Sequence, residues 1–472
     1  MKADLSSSVL RMLAAPTILA LTLSSCKLVG PDHSVPSSET AASYKNGSND
    51  FSKRLSTNWW KVFGDSKLNS LMGNLQSGNF DLRAAEARRN QAYAVLGVNR
   101  SELFPNISAQ GSAQRSRSSE NDRAGSFGGA QSYYNQYNIG ASLGYEIDLW
   151  GRVRRLVESG QANAAAAEVS VDQVRLSLQA QLARNYFAMR FLDSEIEVLR
   201  EALDTRNETL ALATDRFKGG KTSELDVARA ESELASTRAQ LVSLEAPRAS
   251  LENSIAILVG RNASNFSIAP SAIKGGAPRV PAGSPAQLLG RRPDVFVAER
   301  RLAASSAEIG VAQAEFFPKI SLIGSGGVSS VNSSNFLNWS SSAFSVGPQV
   351  DLPVFQGFRR KANVELAVAR HEEALAGYQQ TVLTAFADVE NALASRRGAD
   401  KEISAQADSI KAARKSFDLS DARYKEGVSS YLDVVDSQRE LLNARRTEVQ
   451  ARGRAFEATV QLIQALGGGF SR

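Results

Sequence analysis

Few residues in this chain have side chains that could act as nucleophiles or bind a transition metal. The 472 residues include one cysteine, Cys26, and two histidines, His33 and His371. A single cysteine excludes a disulfide framework and a cysteine-cluster metal site. Two isolated histidines without a second thiol argue against a histidine metal centre and a Cys/His catalytic pair. We therefore expect neither an enzyme nor a bound cofactor.

Spaced serine and aspartate residues are the other candidates for chemistry. Ser223-x-x-Asp226 and Ser430-x-x-Asp433 have the spacing of helix capping boxes. Asp436 follows Asp433 by three residues, so both carboxylates should lie on one helix face. If several chains surround an axis, such carboxylates also form rings that attract cations. Capping and pore lining both stay open, because one carboxylate can do both.

The charge pattern argues against nucleic acid as a partner. The chain has 55 Lys and Arg and 49 Asp and Glu residues, a net charge of +6. The two signs alternate along the chain, which is typical of solvated helix faces. No basic stripe or nucleic-acid-binding module accompanies the positive charge.

The first 26 residues have the features of a secretory signal. Lys2 and Arg11 precede a short apolar run, then small residues and Cys26. The ending Leu-Ser-Ser-Cys resembles the bacterial lipobox, in which the cysteine becomes the lipid-modified first residue. We therefore predict Cys26 as the lipid attachment site. An ordinary secretory signal with a chance cysteine is the alternative.

The chain contains an internal duplication. Residues 85–108 match residues 298–321 at an offset of 213, with 11 of 24 positions identical. Residues 216–234 match residues 423–441 at an offset of 207, with 9 of 19 identical. Two matches in the same order indicate a duplicated half-molecule, since solenoid repeats are only about 20–50 residues long.

Each half contains a long stretch that should be helical. Residues 153–218 and 360–425 lack proline and are rich in strong helix formers. About 65 helical residues would extend roughly 98 Å at 1.5 Å per residue. Gly220 and Gly427 supply the positive φ that ends a helix. Second helices should follow at about 223–257 and 430–466, the first with a kink at Pro247.

Between the helices lie segments with the pattern of β-strands. Residues 105–150 and 318–356 are rich in Gly, Ser, Asn and aromatic residues, and each contains two candidate strands of about ten to thirteen residues. Strands of that length fit an outer membrane β-barrel. A pair of soluble hairpins is the alternative.

Four strands in a membrane would require an oligomer. Every strand edge in lipid must be paired, and bacterial barrels begin at about eight strands. A dimer would give a filled barrel and a trimer of 12 strands would leave a lumen. The long helices favour the trimer. The fold class predicted is thus mainly α with a membrane β-barrel part.

Several motifs in one order give the chain a resemblance to a known family. It resembles the outer membrane factors, the TolC-like and OprM-type lipoproteins that form the exit duct of tripartite efflux pumps. The motifs are Gly30-Pro31-Asp32, Trp59-Trp60-Lys61-Val62-Phe63-Gly64-Asp65, Glu146-Ile147-Asp148-Leu149-Trp150-Gly151-Arg152, Arg291-Arg292-Pro293-Asp294 and Phe316-Phe317-Pro318-Lys319-Ile320-Ser321.

The resemblance implies a homotrimer with a 12-stranded β-barrel continued by an α-helical barrel and encircled by a collar. Its partners would be a periplasmic adaptor protein, an inner membrane RND-type transporter and outer membrane lipid. The implied location is the outer membrane of a Gram-negative bacterium, with a lipid anchor and an extension through the periplasm.

The resemblance also implies roles for the helical hairpin turns. They correspond to periplasmic tips where the adaptor docks, formed here by Gly219, Gly220, Lys221, Gly427, Val428 and Ser429. Asp226, Tyr424, Asp433 and Asp436 stand at the positions of a periplasmic gate. Where some relatives have a tip arginine that ties the closed state, this chain has Ser429.

Other polar and aromatic residues have simpler interpretations. Arg152, Arg154, Arg155, Arg359 and Arg360 should lie at the periplasmic rim of the barrel, where they would contact lipid phosphates or join salt bridges. We expect Trp59 and Trp60 to pack in a core and His371 to lie on a helix surface.

The sequence thus predicts a passive efflux channel for small amphiphilic compounds, with a protein secretion duct and a non-conducting, lipid-anchored coiled-coil scaffold as alternatives. The predicted segments are a signal peptide (1–25), a lipidated tether (26–65), an equatorial and helical-barrel segment (66–104), a first β-hairpin (105–150), a first helical hairpin (151–257), an equatorial segment (258–293), a helical-barrel segment (294–317), a second β-hairpin (318–356), a second helical hairpin (357–466) and a tail (467–472).

Overall fold

A computed structural model describes residues 28–37, 40–46, 56–117 and 133–470. The predicted signal peptide and Cys26 lie outside the described residues. The chain divides into two compact units. One comprises residues up to 36, 90–167 and 298–378, and the other comprises residues 37–89, 168–297 and 379–472.

The first unit contains a four-stranded antiparallel sheet in the order β1-β2-β3-β4. The predicted strand pairs are present in both repeats. In the first hairpin Ala109 pairs with Ala141, and in the second Leu322 pairs with Pro348. Gly140 pairs with Gly327 where β2 joins β3. The strands are β1 Asn106–Arg117, β2 Tyr133–Glu146, β3 Lys319–Ser330 and β4 Ser342–Asp351.

The long proline-free stretches form helices as predicted. The helices are α1 Ser66–Gly78, α2 Phe80–Ser101, α3 Arg152–Lys218, α4 Glu224–Ser243, α5 Glu245–Leu258, α6 Pro285–Leu288, α7 Pro293–Ala314, α8 Arg359–Lys425 and α9 Tyr431–Ala465. Helices α3 and α8 have 67 residues each. None of the described helices combines the length and apolar character needed to cross a membrane.

The break in the first helical hairpin lies slightly before the predicted kink. Helix α4 ends at Ser243 and α5 begins at Glu245, on either side of Leu244. Pro247 is the third residue of α5. Proline is tolerated in a first turn, where the backbone N–H groups have no partner within the helix. The proline therefore begins the new helix instead of bending a continuous one.

The second unit has the main apolar core. Trp59 and Trp60, 2% and 4% exposed, pack there as expected. They share this core with Phe63, Phe187 and Phe456, and the rings of Phe63 and Phe187 are 4.7 Å apart. The core fixes the α1 region against the parts of α3 and α9 that belong to this unit.

The predicted equatorial segment is mostly irregular and is held by arginines. Arg190 Nη1 donates to the carbonyl of Ala269 at 2.8 Å, and Arg248 Nη2 donates to the carbonyl of Ile268 at 2.8 Å. Arg396 Nη1 donates to the carbonyl of Pro278 at 3.0 Å. Charged donors are strong partners for backbone carbonyls that have no sheet or helix to satisfy them.

Candidate functional site

The two helical hairpin turns have the same backbone hydrogen bonds. Lys221 N–H donates to the carbonyl of Arg216, and Val428 N–H donates to that of Arg423, at 2.8 and 2.9 Å. Gly220 and Gly427 have φ of +69° and +80°. This is the Schellman arrangement, which favours glycine because a Cβ is strained at positive φ. The duplicated sequence therefore produces two equivalent tips.

The turn residues of both tips reach solvent. Gly219, Gly220, Lys221 and Gly427 are exposed, and the Val428 side chain is 64% exposed. Leu225 and Leu432, just inside the next helices, are also exposed. Ser429 is half-buried, and its hydroxyl oxygen has no hydrogen-bond partner among the described residues. The tips thus combine exposed apolar side chains with an unsatisfied polar atom.

Tyr424 is buried inside the cluster that joins the two tips. It is 3% exposed, and its ring centroid lies 5.5 Å from that of Tyr431. The same cluster includes Ala213 of α3 and Val434 of α9. Burial raises the pKa of the Tyr424 phenol, so it is neutral at physiological pH. In the isolated chain Tyr424 therefore packs between helices instead of lining an open surface.

Arg216 fastens this cluster, and the sequence analysis did not identify it. Its guanidinium carbon lies 4.7 Å from the centroid of the Tyr424 ring. Its Nη1 donates to the carbonyl oxygen of Tyr424 at 2.5 Å. Arg216 thereby links the end of α3 to the end of α8. No local sequence signal marks it, because Arg423 has the same place in the second turn motif and is exposed.

The two predicted capping boxes differ. In the second box, the Ser430 backbone N–H and hydroxyl both donate to Asp433 Oδ2, at 3.2 Å each. In the first box, Ser223 makes no side-chain cap. The Thr222 hydroxyl instead donates to Asp226 Oδ2. Asp226 is therefore bonded by Thr222, the residue before the predicted N-cap. The predicted capping box between Ser223 and Asp226 does not form.

Asp433 and Asp436 share an exposed face of α9, as their spacing predicts. The residues between them, Val434 and Val435, are buried on the opposite face. Asp436 lies 3.7 Å from Arg439, an exposed pair that contributes little to stability. These two carboxylates are therefore accessible to solvent.

A buried charge network below the tips was also missed by the sequence analysis. Glu233 of α4 accepts Arg439 Nε at 2.9 Å, and its other carboxylate oxygen lies 3.1 Å from Arg206 Nη2. Arg206 also donates to the Glu233 carbonyl at 2.8 Å. The Arg206 and Glu233 side chains are only 6% and 10% exposed. The network ties α3, α4 and α9 together.

At the predicted rim, the first three arginines make salt bridges. Arg152 contacts Glu146 at 2.9 Å and Arg154 contacts Asp148 at 3.2 Å. Arg155, with a side chain 2% exposed, contacts Asp32 at 2.7 Å. In the second repeat, Arg360 donates to the carbonyls of Glu315 and Pro353. The predicted roles were contact with lipid phosphates and bonding within the chain, and the structure shows the second for these four arginines. Arg359 is exposed.

The histidines have ordinary partners. His33 Nε2 lies 2.7 Å from a Glu299 carboxylate oxygen. His371 Nδ1 lies 3.2 Å from the Ser305 hydroxyl oxygen. The His371 side chain is half-buried, whereas it was expected on the helix surface. Within the described residues, no three His, Cys, Asp or Glu side chains are grouped so that they could hold a metal ion.

Two curated proteins resemble the chain over nearly all or most of its length. It is 32% identical over 468 residues to the solvent efflux pump outer membrane protein SrpC of Pseudomonas putida, covering 97% of this chain and 98% of that protein. It is 33% identical over 425 residues to the pyoverdine export outer membrane protein OpmQ of Pseudomonas aeruginosa, covering 87% of each.

The fold also matches a solved structure. The outer-membrane channel OprN superposes with a TM-score of 0.87 at 32% identity, covering 93% of this chain and 99% of OprN. The sequence model of the outer membrane efflux proteins matches residues 71–261 and 284–468, which together are most of the chain. The duplicated fold, the paired tips and these matches agree, and the chain belongs to the outer membrane efflux protein family.

Proposed function

We propose that this protein is a homotrimeric exit channel of a tripartite efflux system in the outer membrane. The observation that carries the proposal is the sheet, whose two outer strands, β1 and β4, each have one described neighbour. In lipid both edges must be paired. Three copies would supply 12 strands and close a barrel with a lumen. The protein would catalyse no reaction, and a partner transporter would supply the energy for export.

Small amphiphilic compounds are the proposed cargo. SrpC and OpmQ are named for solvent efflux and pyoverdine export, which are both transport of small molecules. These relatives favour efflux over the protein secretion duct. A channel also differs from a non-conducting scaffold in a measurable way, because a scaffold carries no current across a lipid bilayer.

The adaptor protein is proposed to dock at the tips, with Gly219, Gly220, Lys221, Gly427, Val428 and Ser429 as the contact residues. Exposed apolar side chains beside unsatisfied polar atoms support this, since a partner would cover the first and bond to the second. Val428 supplies such an apolar surface, and the Ser429 hydroxyl supplies such a polar atom. The adaptor would connect the channel to an inner membrane RND-type transporter.

The gate is proposed to comprise Asp226, Tyr424, Asp433 and Asp436. The exposed face shared by Asp433 and Asp436 supports a ring of carboxylates around the trimer axis. Tyr424 would act from its buried position, by setting how the ends of α3 and α8 pack.

We expect Asp433→Asn/Asp436→Asn to reduce cation selectivity and divalent block. Asparagine keeps an oxygen for the Ser430 N–H but removes the charge. We expect divalent block to weaken at least tenfold, or about 1.4 kcal/mol. Recordings in planar bilayers under asymmetric salt, with and without a divalent cation, would measure both. Glu231→Gln, an exposed change on α4, is the control. Unchanged selectivity in an assembled double variant would remove both aspartates from the gate.

Cys26 is proposed as the lipid attachment site, and the anchor is expected to assist a protein that the barrel already holds in the membrane. Mass spectrometry of the mature N-terminus should show an acylated Cys26 after cleavage at Ser25. An unmodified residue, or a different cleavage site, would contradict the assignment.

A further inference from the structure

The two faces of the four-stranded sheet differ in character, because successive strand residues point to opposite faces. One row of directly paired residues crosses the sheet as Ser108, Ser142, Ser325 and Ser345. The next row crosses it as Ile107, Leu143, Gly324 and Val346. We call the face of the serine row the polar face and the face of the second row the apolar face.

In the proposed barrel the apolar face contacts lipid and the polar face lines the lumen. Ile107 and Val346 are 71% and 73% exposed, so no other part of the described chain covers them. The polar side chains bond within their own face, since the hydroxyl oxygens of Ser108 and Ser142 lie 2.7 Å apart. Because the helices extend into the periplasm, the strand ends distant from them are the outer end of the sheet.

Two arginines lie on the apolar face at this outer end. Arg115 and Arg117 of β1 share the face of Ile107, because each is an even number of residues from it. Both side chains are exposed. Among the described strand residues, they are the only charged ones on the apolar face. An arginine that faces lipid is tolerated near the membrane surface and costly at the midplane.

The length of β1 places the arginines near the membrane surface. Arg115 lies eight positions beyond Ile107. At about 3.4 Å per residue this is about 27 Å along the strand, or roughly 20 Å along the membrane normal for a tilt of about 40°. The apolar band of an outer membrane barrel is about 25 Å tall. Arg115 and Arg117 therefore reach the level of the lipid headgroups.

An aromatic ring holds the two guanidinium groups together. The guanidinium carbons of Arg115 and Arg117 lie 5.7 and 5.5 Å from the centroid of the Tyr133 ring. Tyr133 is directly opposite Arg117 on β2. Cation–π contacts with one ring keep the two positive charges close to each other. Neighbouring guanidinium groups suit phosphate, because each presents two parallel N–H donors to its oxygens.

The internal repeat shows that such a strand does not need this pair. At the offset of 213, β1 corresponds to β3 over its whole length. The counterparts of Arg115 and Arg117 are Val328 and Ser330, which also lie on the apolar face. The cation pair is therefore a feature of the first hairpin and not a requirement of the fold.

We infer that Arg115, Arg117 and Tyr133 form a binding site for the phosphate-bearing headgroup of an outer-leaflet lipid. The phosphate would accept N–H groups from both arginines, and the acyl chains would cover the apolar face below the site. A soluble anion would match the charge but gain nothing from the apolar face, so the occupant is a lipid. The inference rests on the proposed barrel and specifies one of its lipid contacts.

Binding of lipid A, a glycolipid with two phosphates, to the full-length trimer in detergent tests the site. Native mass spectrometry would compare diphosphorylated with dephosphorylated lipid A, and we expect the first to bind the wild type at least about tenfold more tightly. Arg115→Val/Arg117→Ser, which copies the residues of β3, should lose this preference. Arg115→Lys/Arg117→Lys should keep part of it, because lysine keeps the charge without the paired donors.

Lys411→Met/Lys415→Met is the matched control, since it removes two exposed cations from α8. It should bind both lipids as the wild type does. Equal loss of preference in this control would indicate a net-charge effect and overturn the site. Displacement of lipid A by inorganic phosphate at equal concentration would indicate a site for the free anion, and would overturn the lipid assignment.

The comparison within the wild type does not depend on whether any variant folds. A wild-type trimer that conducts but binds both forms of lipid A equally would overturn the headgroup site and leave the channel intact. A preference that persists in an assembled Arg115→Val/Arg117→Ser trimer would also overturn it. A wild-type protein that does not insert into lipid would overturn both the site and the proposed barrel.

Discussion

Glu233→Ala is expected to lower the free energy of unfolding by about 3 kcal/mol, because it leaves the buried Arg206 guanidinium without its carboxylate. Burial lowers the pKa of Arg206 and the charge of Glu233 opposes that effect. Without Glu233 the cost of burying the cation is no longer offset. Arg439 is half-exposed and can turn to solvent, so most of the loss comes from Arg206. Urea unfolding followed by circular dichroism would measure the change.

Two further variants serve as controls for this prediction. Glu231→Ala removes an exposed carboxylate two residues away and should change stability by less than about 0.5 kcal/mol. Arg206→Met/Glu233→Leu removes both buried charges and should recover much of the loss, because no unpaired ion remains. If Glu233→Ala costs no more than Glu231→Ala, the network does not tie α3, α4 and α9 together.

Arg216→Met is expected to shift the channel toward its open state by about 30-fold. The substitution removes a charged hydrogen bond to the Tyr424 carbonyl and a cation–π contact with its ring, together worth about 2 kcal/mol. Arg216 joins the ends of α3 and α8, and we propose that these ends separate at the tips when the channel opens. Single-channel open probability in planar bilayers would report the shift.

Arg216→Lys keeps a donor near the Tyr424 carbonyl and should give a smaller effect. Lys218→Met changes an exposed cation two residues away and should leave open probability unchanged. If Arg216→Met trimers open no more often than the wild type, the Arg216–Tyr424 contact is structural only.

The helices and strands were predictable because their signals are local. Proline-free stretches rich in helix formers predicted α3 and α8, and the left-handed Gly220 and Gly427 predicted their ends. The composition of residues 105–150 and 318–356, with two candidate strands in each, predicted the strand pairs. The break at Leu244 was displaced from the predicted kink, since a proline in a first turn begins a helix without bending it.

The charged contacts were not predictable, because they join residues far apart in the chain. Arg216 meets Tyr424 across 208 positions, and Glu233 meets Arg439 across 206. Nothing in the sequence distinguishes these arginines from exposed ones such as Arg423. Tyr424 was expected at the gate from family resemblance alone. Its burial results from the packing of α9 against α3 and α8, which the sequence does not show.

Planar-bilayer conductance of the purified full-length trimer is the most direct test of the proposed channel. The proposal predicts discrete, cation-selective current steps, rare in the wild type and frequent in Arg216→Met. Native mass spectrometry must show that the preparation is a trimer, and the trimer must be shown to be inserted in lipid, before its current is interpreted. An assembled, inserted trimer that carries no current in either form would contradict the channel and favour a lipid-anchored scaffold.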